Sequence, residues 1–157
     1  MKTNIGISDA NRKTVADQLA KLLADEFVLY AKTFHAHWNV EGPDFHSVHV
    51  YFEELYNQSQ EIVDSVAERI RQLGHYAPAT LSDFLKLTHL TEQLKGGNTS
   101  ADLIKNLLGD HETIIEFIRS IIKEFAEAHK DAGTSDFVTS LMEKHEKTAW
   151  MLRAHLK

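Results

Sequence analysis

The sequence predicts an all-α protein, a bundle of four long helices with a short helix in the long crossover between the second and the third. Three observations predict it. Apolar residues recur at helical spacing through four long segments. Only two prolines and seven glycines interrupt the 157 residues, so long unbroken elements are possible. Gly and Pro also cluster at four places: Gly42-Pro43, Gly74 with Pro78, Gly96-Gly97 and Gly133, and these read as the segment borders.

Taken in order, the first segment carries a stripe of Val15, Leu19, Leu23, Phe27, Tyr30 and Phe34, with Ser8 or Asp9 as its expected N-cap. The second carries Phe45, Val48, Phe52, Leu55, Ile62, Val66 and Ile70, interrupted at Ser59, and Pro43 suits its first turn. The stretch from Gly74 to Asn98 is too long for a hairpin turn, and its piece "TLSDFLKLT" reads as a short helix with Ser82 as cap. The third long helix carries Leu103, Leu107, Ile114, Phe117, Ile118, Ile121 and Phe125 behind Thr99 or Ser100. The fourth carries Phe137, Leu141, His145, Thr148 and Leu152 behind Thr134 or Ser135. A four-helix bundle with one long crossover is the ferritin-like connectivity. Residues 1–157 are expected to form one domain.

The totals narrow the chemistry. A net charge of −6 argues against general nucleic-acid binding, which needs a basic excess, and suits a protein that attracts cations. The absence of cysteine excludes disulfides and thiolate metal sites and leaves His, Asp and Glu as the strong ligands. It fits a reducing cytosol. The start, "MKTNIGISDANRK", lacks the apolar run of a signal peptide, and no stretch approaches the roughly 20 apolar residues of a membrane span. A cytoplasmic location is expected.

The stretch "HAHWNVEGPDFHSVHVYFEEL" holds four of the ten histidines. No carboxylate precedes any histidine by three residues, so the Glu-x-x-His pattern of an intra-bundle di-iron site is missing. The zinc-protease pattern fails after His111-Glu112. The second helix offers a different set. At about 100° per residue, with His49 at 0°, Glu53 falls near 40°, Asp64 near 60° and Glu68 near 100°, all on one face. The midpoints of the two pairs are nonetheless about 22 Å apart along the axis, whereas metal–ligand bonds are about 2 Å. Two subunits packing these helices antiparallel about a two-fold axis would bring His49 and Glu53 of one to Asp64 and Glu68 of the other, making two identical sites. His37 can reach the same site from the first subunit. Two imidazoles and three carboxylates suit iron. The bland alternative is a solvated helix face carrying acids and histidines by chance. His35 and His46 read as surface residues. His75, His89, His111, His129 and His155 show no partner pattern and read as solvated or structural, and His145 reads as a hydrogen-bonded core histidine.

"HWNVEGPDFHSVHVYFEEL" followed by "EIVDSVAERIRQLG", and the later "KTAWMLRAHL", resemble the Dps proteins, ferritin-like mini-ferritins named as DNA-binding proteins from starved cells. The resemblance spans nearly the whole chain. It implies a hollow shell of twelve copies with a ferroxidase centre at each two-fold contact, held by His37, His49 and Glu53 from one subunit and Asp64 and Glu68 from the other. Relatives often have aspartate where Glu53 stands; the longer side chain keeps carboxylate ligation and leaves a second iron position open. Trp38 reads either as plain core or, beside an oxidising iron, as a catalytic electron donor, and it matches the family's tryptophan beside the centre. The implied chemistry is oxidation of Fe(II), with hydrogen peroxide as oxidant in many relatives or O2 instead, and storage of Fe(III) mineral. Zinc or another divalent ion is an expected competitor.

The resemblance also implies acidic entry pores, to which Glu127, Asp131 and Asp136 are assigned, and mineral nucleation, to which Glu54 and Glu61 are assigned. Relatives that compact DNA do so through a lysine-rich tail. Here only Lys2 precedes the first helix, with Arg12 and Lys13 just inside it, and DNA binding is expected to be weak or absent at physiological salt. The alternative reading is a DNA-compacting nucleoid protein with little enzymatic role.

Overall fold

The computed structural model describes residues 3–157 and contains five helices: α1 (Asp9–Asn39), α2 (Phe45–Gln72), α3 (Leu81–Leu87), α4 (Ser100–Glu127) and α5 (Ala132–Ala154). Lys2, the one cation that precedes the first helix, lies outside the described residues. The α1–α2 and α4–α5 connections are short, so each pair forms an antiparallel hairpin. The pairs α1·α2 and α4·α5 pack most extensively, α1 also packs on α4, and α3 lies on α1. Leu19, Leu22, Leu23, Phe52, Leu107, Ile114 and Phe125 are fully buried in one apolar cluster drawn from the long helices, and Phe84 attaches α3 to it. The four-helix bundle with a short helix in the crossover is therefore observed.

Helix starts follow capping chemistry, in which a side-chain oxygen takes one of the orphan N–H groups of the first turn. Ser8 accepts from Asn11 N at 3.2 Å and Thr99 from Asp102 N at 3.2 Å, as expected. Three expectations are corrected. The short helix is capped by Thr80, which accepts from Asp83 N at 3.1 Å, rather than by Ser82, which lies inside it. Pro43 sits before α2 in a turn where Phe45 N donates to Gly42 O at 3.1 Å, and Gly42 has φ +134°, a backbone that favours glycine. The last helix begins at Ala132, capped by Asp131, whose Oδ1 accepts from Thr134 N at 2.9 Å. Gly133 is thus absorbed into the first turn instead of ending the preceding loop.

Asp131 also corrects its own assignment to a pore. It is only 2% exposed within the single chain, takes the Thr134 hydroxyl at 2.5 Å, and lies 3.3 Å from the Arg69 guanidinium of α2. A carboxylate so engaged is unavailable to passing cations. Asp131→Ala is expected to lower stability by about 1–2 kcal/mol through loss of the cap, with a further cost from the stranded Arg69. Urea denaturation measures it. Glu127 and Asp136 remain exposed.

The interior carries a set of charges that periodicity did not reveal. Asp25 of α1, fully buried, accepts from Thr88 Oγ1 at 2.7 Å, His89 N at 2.6 Å and His89 Nδ1 at 2.8 Å, which pins the crossover to the bundle. Lys32 of α1 lies 2.6 Å from Asp110 of α4; burial pushes the Asp110 carboxyl up, and Lys32 pulls it back. Near the middle of the bundle, Glu26 Oε1 of α1 lies 2.8 Å from His145 Nε2 of α5, whose Nδ1 is 2.8 Å from His111 Nδ1 of α4. His145 is thus a hydrogen-bonded core histidine, as expected, and His111 is structural.

Burial first, and the adjacent His145 second, hold the His111 pKa well below its ordinary value. The unfolded chain, with an ordinary imidazole, takes up a proton below about pH 6.5 that the folded chain refuses. Stability from this residue is therefore complete above about pH 6.5 and falls as pH drops toward the folded pKa, by up to about 1.4 kcal/mol per pH unit. Denaturation of metal-free protein at pH 7.5 and pH 5 should show the loss, and His111→Phe should show a shallower one.

Candidate metal centre

His37 sits in the last turn of α1 and His49 in the second turn of α2, brought together by the tight turn at residues 40–44. Their rings stack with centroids 3.8 Å apart. Each ring is tied to the other residue's backbone: His37 Nδ1–H donates to His49 O at 2.9 Å, and His49 Nδ1–H donates to His37 O at 2.8 Å. The His37 carbonyl is one of the four that α1 leaves without an intrahelical partner, so the exchange also finishes the helix end. A carbonyl can only accept, so both Nδ1 atoms carry the proton. In the neutral ring that fixes Nε2 as a lone pair on each, the orientation by a second hydrogen bond that metal-ligating histidines use. The arrangement fits a divalent transition metal.

Glu53 follows His49 by one turn and is exposed. Tyr56, one turn further, packs its ring edge against His37 at 5.2 Å and stacks on Phe34 at 4.1 Å. Its pKa is raised by partial burial first and by the nearby Glu53 carboxylate second. Sequence reading passed over Tyr56, although it stands seven residues from His49 and so on the same face. Trp38 is 69% exposed and rests on Phe34 at 5.0 Å. Asp64 and Glu68 are exposed on α2, about 22 Å along the helix from His49 and Glu53. The chain therefore brings His37 and His49 together, keeps Glu53 adjacent, and leaves Asp64 and Glu68 distant. Among the described residues, no three metal-ligating side chains of one chain gather on a common point.

His35 and His46 are exposed, as expected. Glu54 and Glu61 line a groove of about 390 Å³ between α2 and α5, opposite Lys144 and Lys147. Of the two described cations near the start of α1, Arg12 is buried and donates to Thr3 O, Ile7 O and Asp9, and Lys13 pairs with Asp17 at 2.5 Å.

The ferritin-like domain model matches residues 16–157. A low temperature-induced protein of Nostoc sp. is 39% identical over 156 residues, covering 99% of this chain and 87% of the relative. The DNA protection during starvation protein of Helicobacter pylori is 38% identical over 138 residues, covering 88% of this chain and 95% of the relative. Among solved structures, the Dps protein of Vibrio cholerae O1, described as a member of a broad superfamily of ferritin-like diiron-carboxylate proteins, aligns with a TM-score of 0.92 at 32% identity. That alignment covers 100% of this chain and 98% of the other.

Proposed function

The chain belongs to the Dps family of ferritin-like proteins, and from that premise we propose that it is a ferroxidase that protects against oxidants by oxidising and storing iron. Its substrate Fe(II) binds between two subunits. His37, His49 and Glu53 come from one subunit, and Asp64 and Glu68 from the two-fold partner. The observation that carries this reading is the paired Nδ1–H bonding of His37 and His49, which leaves two Nε2 atoms side by side with no hydrogen-bond partner among the described residues. Three carboxylates added from α2 faces neutralise the cations and hold them close enough for two electrons to leave together. Hydrogen peroxide is then reduced to water without release of hydroxyl radical, and Fe(III) hydrolyses and accumulates inside a shell of twelve copies. Trp38, close to the pair, serves as an electron donor. Glu127 and Asp136 attract Fe(II) at the entry pores, and Glu54 and Glu61 nucleate mineral. Metal binding needs ionised carboxylates and neutral imidazoles, so uptake weakens as pH falls.

The protein is cytoplasmic in this reading; among the described residues, no helix is long and apolar enough to cross a membrane. DNA binding is weak or absent, because Arg12 and Lys13 are already committed to partners within the chain and phosphate contacts need free cations. Adding Fe(II) and then peroxide to metal-free protein, and following ferric absorbance with the peroxide consumed, tests the function. About one peroxide per two Fe(II) is expected; no oxidation beyond that of free iron would exclude the ferroxidase reading.

A further inference from the structure

We propose that the groove between α2 and α5 binds inorganic phosphate together with Fe(III), so that the stored mineral starts as an iron–phosphate pair held between two walls of opposite charge. This rests on the iron-storing reading above and adds the anion that the groove recognises. Glu54 and Glu61 stand about two turns apart on the α2 wall. Lys144 and Lys147 stand about one turn apart on the α5 wall, and the space between the walls is about 390 Å³. The walls carry opposite charge without closing on each other. Among the described residues, none of these four side chains makes an ion pair within the chain. Glu146, between the two lysines in sequence, is engaged by Arg119 of α4, so it does not neutralise them.

The balance of charge decides the class of ligand. Two carboxylates and two ammonium groups cancel, so a lone cation is repelled by the lysines and a lone anion by the glutamates. A cation that arrives with its own anion satisfies both walls. The proposed activity supplies the cation, Fe(III), a hard ion that suits carboxylate ligands. The α5 wall then takes the anion. Lysine binds phosphate as a point charge, and side chains three apart on a helix are neighbours, so Lys144 and Lys147 can share one phosphate. Its remaining oxygens bind Fe(III). Leu55 and Ile62, both buried, also line the groove, and apolar lining strengthens the attraction between charges beside it. Iron and phosphate raise each other's affinity by the same factor, as linkage requires. No electron moves in this step: Fe(III) exchanges bound water for carboxylate and phosphate oxygen.

The test loads the assembled protein with a few Fe(II) per subunit, adds peroxide in the presence of inorganic phosphate, removes free ions by gel filtration, and measures phosphorus per iron in the protein fraction. The ratio should fall several-fold when Lys144→Gln and Lys147→Gln are combined, and return when Lys144→Arg and Lys147→Arg are combined instead. Ferric absorbance without phosphate should rise at the same rate in all three proteins, because the lysines take no part in the oxidation. Metal-free protein should retain little phosphate, and Glu54→Gln with Glu61→Gln should lower the phosphorus retained by iron-loaded protein. Normal ferric absorbance with an unchanged ratio in the Lys→Gln protein overturns the proposal and leaves the ferroxidase reading intact. So does phosphate held equally well by metal-free protein, which would mark a plain anion site. Absence of ferric absorbance in the unaltered protein overturns both.

Discussion

Asp64→Ala is expected to slow peroxide-driven Fe(II) oxidation by about a hundredfold or more, since loss even of groups that merely support a metal ligand costs 10–100-fold. The fold should be unaffected. Asp64 is exposed on α2 and makes no hydrogen bond or ion pair within the chain among the described residues, so nothing in the protomer depends on its carboxylate. Glu68→Ala should behave alike. A residue that is idle in the monomer yet indispensable to the reaction has its partner in another subunit. Stopped-flow ferric absorbance measures the rate, and circular dichroism the fold. If the acids on this face only solvate the helix, Asp64→Ala will match the unaltered protein.

The second large effect concerns stability. Glu26→Leu is expected to destabilise the bundle by about 1–3 kcal/mol, because it leaves the buried His145 Nε2–H facing no acceptor. Glu26 is fully buried and His145 is 2% exposed, so water does not replace the lost partner. The chain Glu26–His145–His111 joins α1, α5 and α4, and its members depend on one another. Replacing all three by apolar residues of similar volume, Glu26→Leu with His145→Leu and His111→Phe, should recover most of the loss. Urea midpoints of the single and triple variants decide the matter. Additive losses would mean that the three residues act independently.

The parts of this molecule that were legible in the sequence are those set by local spacing. The four long helices follow from apolar residues three and four apart, and Ser8 and Thr99 were recognised because a cap acts within one turn. The nearness of His37 to His49, with Glu53 one turn on, was legible because the chain folds back on itself within a dozen residues. The interior charges were not found, because their partners are remote. Glu26 and His145 are 119 positions apart, and Asp25 and His89 are 64 apart. Helical periodicity reports which face a residue occupies and is silent about what faces it. A signal was present in "LLADEFVLY", where two acids interrupt an apolar run and therefore need buried partners. Asp131 was misassigned for a related reason. Gly133 looked like a loop, which put the helix start too late and left the acid looking free. Tyr56 carries no signal in helical spacing that sets it apart, because its ring contacts with Phe34 and His37 cross from α2 to α1.

The shared centre is tested most directly by complementation. One chain carries His37→Ala and His49→Ala; the other carries Asp64→Ala and Glu68→Ala; each is made alone, and then the two are co-expressed and assembled together. If each site takes its imidazoles from one subunit and its distal acids from the other, both parents are inactive. A mixed pair then holds one intact and one doubly broken site, so random pairing restores about a quarter of the sites and of the unaltered rate. Full activity in either parent, or no recovery in verified mixed assemblies, would contradict a centre shared across the two-fold contact.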